Sequence, residues 1–353
     1  MPRIDEYLTL ALEQRASDLH FVAGQPARLR QYGDLNPITE DPLGADFVRE
    51  TLLEIMPRPA QKRLETHDGA DFAYTMGDRG RFRVNVMRQL NGIGAVMRAI
   101  PSKAMTMEEL ALPDAIRQLA RAANGLILVT GKTGSGKSTT LAAIIDDINR
   151  RLKGHILTIE DPIEFVHSRK NCLISQREIG VHSQSFAHAL HSALREDPDV
   201  ILVGELRDYE TMSIAVTAAE MGILVMGTLH TNGAGATVDR IVNVFPADKQ
   251  SHVRTMLSTS LRGVVSQQLL ARQDGSGRVA ALEILINTPA VANLVRQGKI
   301  DQLETTMQSG AQFGMRTMDN AIQTLLDAKL VSGREAYKKA INKAKFEPVR
   351  DQT

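Results

Sequence analysis

Residues 131–138 read GKTGSGKS and match the spacing G-x-x-x-x-G-K-[ST] at every fixed position. The run before them, Leu126-Ile127-Leu128-Val129-Thr130, is apolar without polar alternation, the pattern of a strand buried on both faces. After them, residues 138–149 (STTLAAIIDDIN) set Leu141, Ile144, Ile145 and Ile148 along one side at helical spacing. Strand, glycine-rich turn and helix is the context in which this spacing makes a phosphate cradle. The glycines are needed because backbone N–H groups turn inward around a phosphate through conformations that a Cβ disfavours. In such a cradle Gly131, Thr133, Gly134, Ser135, Gly136, Lys137, Ser138 and Thr139 line the nucleotide. Lys137 reaches the β- and γ-phosphates and the Ser138 hydroxyl ligates Mg²⁺. ATP and Mg²⁺ are therefore the expected ligands. A glycine-rich turn with a surface lysine is the bland alternative, and the flanking elements weigh against it.

From residue 125 onward the pattern is strand then helix, repeated, which predicts an α/β domain with a parallel sheet. Four apolar runs, 126–129, 156–159, 200–203 and 223–226, are each followed at once by polar residues. Ligands of open α/β sheets bind beyond the carboxyl ends of the strands, so these four stretches are expected to converge on one site. Glu205, after 200–203, fits a Walker B carboxylate near Mg²⁺ or its water shell; a strand-end acid paired with Arg207 is the structural alternative. Glu160, Asp161 and Glu164 put three carboxylates in five residues, and one of them would orient and deprotonate the attacking water. His230 ends its strand where it would sense the γ-phosphate, on position alone.

Residues 1–100 are expected to form a smaller α+β domain. A helical pattern over 4–14 leads to a strand at 17–22, a hairpin across Tyr32-Gly33, two helices over 47–65, and antiparallel strands at 71–76, 80–89 and 94–100. Arginines crowd that last sheet: Arg79, Arg81, Arg83, Arg88 and Arg98. Arg81 and Arg83 are two apart and share a face, either as a solvated basic surface or as a contact for an anion such as a neighbour's ATP phosphates. Residues 101–113, bracketed by prolines, read as a linker, and 114–353 as the second domain. There the pattern predicts a helix over 184–196 whose histidines, His188 and His191, are structural or interfacial together with His182. It further predicts helices at 235–243, 247–258 and 261–271, a strand hairpin at 267–272 and 278–286, and a helical tail.

Composition excludes several classes. With 353 residues, 43% hydrophobic and 24% charged, the chain has enough apolar surface for two cores. A net charge of +1 and 4% aromatics offer no electrostatic or stacking platform for nucleic acid. The single Cys172 rules out a disulfide framework and a four-cysteine zinc site. No apolar run approaches the ~18–20 residues of a membrane span and no signal-peptide pattern precedes the first helix, so a cytoplasmic protein is expected, touching membranes only through partners.

Four motifs in order carry a family resemblance: Walker A at 131–138, an acidic box at 159–167 (IEDPIEFVH), Walker B at 200–208 (VILVGELRD) and a histidine box at 227–232 (GTLHTN). With SDLH at 17–20 and RFRVNVMRQ at 81–89, the chain resembles the secretion ATPase superfamily (PilT/VirB11-like), and within it the PilT-type retraction ATPases of type IV pili. The resemblance implies a RecA-like P-loop NTPase core behind a PAS-like α+β domain, and a homo-hexameric motor that couples ATP hydrolysis to pilus retraction and twitching motility. It implies Glu164 as the catalytic glutamate, Glu205 as the Walker B acid, His230 as the box histidine, and Arg81, Arg83 and Arg98 as candidates for trans-acting arginines. An inner-membrane platform protein, PilC-like, is the implied partner, with the ATPase peripheral on the cytoplasmic side and no nucleic acid involved. Lys132 stands where proline or a small residue is expected, and 290–297 reads AVANLVRQ against a family pattern like AIRNLIRE. The competing readings are an accessory PilU-like retraction ATPase, a pilus-extension or type II secretion ATPase, a nucleic-acid motor, and a nucleotide-gated assembly module. The second of these typically carries an additional N-terminal domain and a four-cysteine element.

Overall fold

The structure, a computed structural model, describes residues 1–31, 34–100 and 104–351. The turn expected at Tyr32-Gly33 and the first three residues of the expected linker, 101–103, lie outside the described residues. Two compact units divide the chain: Met1–Lys103 with Glu164–Val166, and Ala104–Ile163 with His167–Thr353.

The first unit is a six-stranded antiparallel sheet with three helices. Its elements are α1 (Ile4–Glu13), β1 (Asp18–Val22), β2 (Arg28–Gln31), β3 (Asp34–Pro37), α2 (Ala45–Ile55), α3 (Arg58–Thr66), β4 (Gly69–Met76), β5 (Gly80–Gln89) and β6 (Gly92–Ile100). The strand order is β3-β2-β1-β6-β5-β4. In β5 the period-2 alternation of RFRVNV buries Phe82, Val84 and Val86. These pack with Leu19, Phe21, Met97, Ile4, Leu8, Val48 and Leu52 in one core. Arg81, Arg83 and Asn85 are left on the other face.

The second unit is a seven-stranded sheet with helices on both faces. It begins with α4 (Asp114–Ala120), β7 (Gly125–Thr130), α5 (Lys137–Arg151), β8 (His155–Glu160), β9 (Leu173–Glu178), α6 (Phe186–Ala193), β10 (Val200–Val203), α7 (Tyr209–Glu220) and β11 (Leu224–Leu229). It continues through α8 (Ala234–Asn243), α9 (Ala247–Ser260), β12 (Leu261–Ala271), β13 (Arg278–Ile286), α10 (Pro289–Gln297), α11 (Leu303–Ser309), α12 (Met318–Asp327), α13 (Gly333–Lys339) and α14 (Lys343–Phe346). The order β13-β12-β7-β11-β10-β8-β9 is parallel except for the antiparallel β12–β13 pair. Alternate residues of β7 feed two cores. Leu126 and Leu128 pack with residues of α6 to α10, and Ile127 and Val129 pack with Ile116 and Leu119 of α4 and Leu141, Ile144 and Ile148 of α5. A strand sealed on both sides has no use for polar alternation, which is why 126–129 reads as continuous apolar sequence.

Two expectations are corrected, and one strand had none. Residues 261–271 are a strand along their whole length and not a helix: Val264 and Val265 insert beside β7, and Gly263 lets the backbone lie against Leu285 and Leu119. The helix expected over 184–196 is the shorter α6, capped by the Ser185 hydroxyl. The edge strand β9 (LISQRE) had no expectation, because its polar, partly exposed sequence lacks the apolar run of an interior strand.

Candidate nucleotide-binding site

The loop between β7 and α5 is shaped by its glycines. Gly131 (φ 139°) and Gly136 (φ 87°) adopt backbone angles that side-chain-bearing residues rarely take. A Cβ on Gly131 would run into the Gln267 carbonyl, and one on Gly136 would sit 2.7 Å from Gln267 Nε2. The loop delivers the chain to the N-terminus of α5, where unpaired N–H groups and the helix dipole favour a bound anion. Lys137 is buried, its ammonium donating to the carbonyls of Gly131 (2.9 Å) and Lys132 (3.3 Å). Ser135 Oγ is buried with no hydrogen-bond partner, an orphaned donor inside the cradle. Ser138 and Thr139 are half-buried at the first turn of α5, and Thr133 and Gly134 are exposed at the tip of the loop. A cationic cradle with an unsatisfied hydroxyl fits a polyphosphate.

Neighbouring strands bring the other motifs alongside. Since β7, β11, β10 and β8 are consecutive in the sheet and parallel, their carboxyl ends line up as Walker A, histidine box, Walker B and acidic box. Thr133 Oγ1 lies 3.5 Å from His230 Nδ1, and His230 Nε2 lies 3.1 Å from Glu205 Oε1, which also accepts from Arg207 Nε at 2.5 Å. Three motifs are thus joined through side chains far apart in sequence. Burial alone would push the Glu205 carboxyl up, but the Arg207 guanidinium and the His230 ring together hold it below the usual carboxylate range. Glu205 stays an anion at neutral pH. The pair with Arg207 foreseen as the structural alternative does form, on the same oxygen that faces His230.

The acidic box is less uniform. Glu160, 9% exposed, accepts from Thr158 Oγ1 at 2.7 Å and Gln176 Nε2 at 3.3 Å. Ile163 N donates to the buried Glu178 carboxylate at 3.2 Å. Asp161 and Glu164 are exposed, and Glu164 falls with 165 and 166 in the first unit. His182 Nδ1 accepts from Glu178 N at 2.9 Å, a structural contact. In the first unit, Arg83 of β5 is in register with Arg98 of β6, which is in register with Asp18 of β1. Arg98 Nε donates to the buried Asp18 at 2.8 Å, offsetting the like charge opposite it. Arg83 is exposed and Arg81 half-buried on that face.

Sequence reasoning missed Gln267, Ser266 and Glu283. Gln267 accepts from Thr140 Oγ1 (2.8 Å) and packs against both loop glycines. Ser266 Oγ accepts from Gly233 N at 2.9 Å, and Glu283 Oε1 from Ala234 N at 2.6 Å, fixing the turn after the histidine box. The available signal was a polar run (SQQ) in one apolar strand and a lone acid in the next, AALEILI.

A glycine-rich anion cradle at the carboxyl edge of a parallel sheet, flanked by an ionised acid and a histidine from adjoining strand ends, defines a P-loop nucleotide-binding protein. Residues 1–331 match the model of the Type II/IV secretion system protein family, and the chain belongs to that family. It is 49% identical over 337 residues to the type IV pilus retraction ATPase PilT of Pseudomonas aeruginosa, covering 96% of this chain and 98% of that protein. It is 50% identical over 314 residues to a twitching motility protein of Neisseria gonorrhoeae, covering 89% of this chain and 84% of that protein. The crystal structure of the pilus retraction motor PilT with bound ADP superposes with a TM-score of 0.91 at 42% identity, covering 97% of this chain and 98% of that one. Among the described residues no helix is long and apolar enough to cross a membrane.

Proposed function

We propose that this chain is a motor ATPase of the pilus-retraction type, hydrolysing ATP to ADP and phosphate and coupling the cycle to displacement of pilus machinery. The observation that carries the reading is the side-chain path Thr133–His230–Glu205, which links Walker A, histidine box and Walker B at one sheet edge. Near full-length similarity to a retraction ATPase supports the same reading. Walker A backbone amides, the orphaned Ser135 hydroxyl and Lys137 bind the phosphates. His230, between Thr133 and Glu205, reports the state of the γ-phosphate to Walker B. Glu164 serves as the general base for the attacking water. The hydroxyl of Ser138 and the ionised carboxylate of Glu205 are hard oxygen donors suited to Mg²⁺, which when bound neutralises phosphate charge.

The working form is a homo-hexamer whose arginine-bearing sheet face, with Arg81, Arg83 and Arg98, supplies positive charge to a neighbour's nucleotide. Of the three, Arg83 is the best placed to do so, since Arg98 is already bonded to Asp18. The functional division is 1–100, 101–113 and 114–353, the first part PAS-like, and the ring acts from the cytoplasmic side on an inner-membrane platform protein. The test is Glu164→Gln: ATP binding is kept within twofold while turnover falls at least ~10²-fold, as for a missing general base. Unchanged turnover would move the role to Asp161, the other exposed acid of the box.

A further inference from the structure

Glu283 is the one acid within the apolar core of β13, 4% exposed, and both of its oxygens are used. Oε1 accepts from Ala234 N at 2.6 Å, the first residue of α8, and Oε2 from Met318 N at 3.1 Å, the first residue of α12. Helix α8 starts at Gly233 with no capping side chain of its own, so its cap is supplied from the sheet. In register with Glu283, Ser266 of β12 holds the preceding amide, Gly233 N. The turn so gripped begins three residues after His230. On the far side, Asp319 of α12 accepts from Ile341 N (2.8 Å) and Asn342 N (2.9 Å), tying the same helix start to the segment after α13. A cleft of about 380 Å³ borders the arrangement, lined by Lys132 of Walker A, Asn232, Glu283, Met318, Lys338 and Lys339.

Such a carboxylate is expensive to bury. Burial raises the Glu283 carboxyl above its ordinary range, the two amides pull it back, and Glu304 and Asp319 add to the rise. An apolar residue would suit the core of β13 better, and a single amide would need one oxygen. Two acceptor oxygens on one rigid group are required only to hold two helix starts together.

We propose that Glu283 is a positioning residue that clamps the turn after His230 to the first turn of α12, so that the nucleotide-facing strand end and the C-terminal helices move together. The clamp transmits a change at His230 to the tail of the chain, and a load on the tail back to His230. It rests on the reading of His230 as part of an ATPase site.

The experiment uses the full-length protein with Glu283→Gln, which keeps the size but offers one acceptor oxygen and sets an NH₂ against the other amide. Amide exchange is followed in peptides covering 231–236 and 317–322, beside kcat, KM and the Kd of a non-hydrolysable ATP analogue. The clamp predicts faster exchange in at least one of the two segments and a fall in kcat of roughly tenfold, with analogue Kd and KM within twofold. Ser266→Ala, which removes only the neighbouring grip, is expected to loosen 231–236 and, through the intact Glu283 clamp, 317–322 as well, and it keeps the test alive should the first variant fail to fold. Unchanged exchange in a folded Glu283→Gln protein overturns the proposal, as does loosened exchange with wild-type kcat. For Ser266→Ala, loosening confined to 231–236 overturns the coupling of the two segments. A wild-type protein that hydrolyses no ATP overturns the ATPase reading instead, and the exchange results then decide the clamp.

Discussion

The Lys137 ammonium lies against the carbonyls of Gly131 and Lys132, so its charge is already inside the loop when a phosphate arrives. Exchanging two carbonyl acceptors for phosphate oxygens strengthens its bonds, since charge-assisted contacts to anions are about twice as strong as neutral ones. Lys137→Ala is therefore expected to weaken ATP binding by roughly 100-fold or more, measured by titration with a fluorescent nucleotide; affinity within threefold of wild type would contradict the role. A second residue makes a prediction about pH. Burial pushes the His167 ring down from 6.5 to about 4, Asp146 opposing the fall and Lys170 adding to it, so the folded protein keeps it neutral. Between those two values the unfolded chain binds the extra proton, so stability holds above pH 6.5 and is lost as pH falls toward 4. Discounted for partial exposure, the loss is roughly 2 kcal/mol. Urea unfolding at pH 7.5 and 4.5 should show wild type losing that much more than His167→Gln, and equal losses would refute it. At this scale Walker A, Glu205 and His230 could be picked out because each sits in its own short motif. Gln267 and Glu283 could not, because their partners Thr140, Ala234 and Met318 lie 127, 49 and 35 residues away.

Among elements, the parallel strands β7, β8, β10 and β11 could be read directly, since burial on both faces leaves mostly apolar runs without polar alternation. Strand β12 could not. Its sequence LRGVVSQQLLA satisfies a helical period as well as a strand, and only its place between β7 and β13 decides. Gly263 tests that placement, because a Cβ there would stand 2.7 Å from Leu285 O and 2.8 Å from Leu119 Cδ2. Gly263→Ala should lower stability by roughly 1–3 kcal/mol, read from the thermal midpoint, whereas a helix-like site would be stabilised by the same change. Helix α10 shows where the departure at 290–297 falls: of the residues that differ, Val291 and Val295 are buried, Ala292 is half-buried and Gln297 is exposed.

For the whole molecule, composition promised apolar surface enough for cores, and the buried residues gather in four clusters: one beneath the antiparallel sheet, two flanking the parallel one, and one among β12, β13 and helices α12 to α14. Assembly was not legible in the same way, because contacts between copies of a chain leave no period in the sequence. What one subunit does show is a site with Lys137, His230 and Glu205 at one edge, and a separate sheet face bearing Arg81 and Arg83. The shared site proposed above would make activity a property of the ring. The most direct test is steady-state ATP hydrolysis across a protein dilution series, with mass determined by light scattering at each point. The account predicts that specific activity rises and falls with the hexamer fraction and is lost in the dissociated protein. A monomer with full specific activity would contradict it.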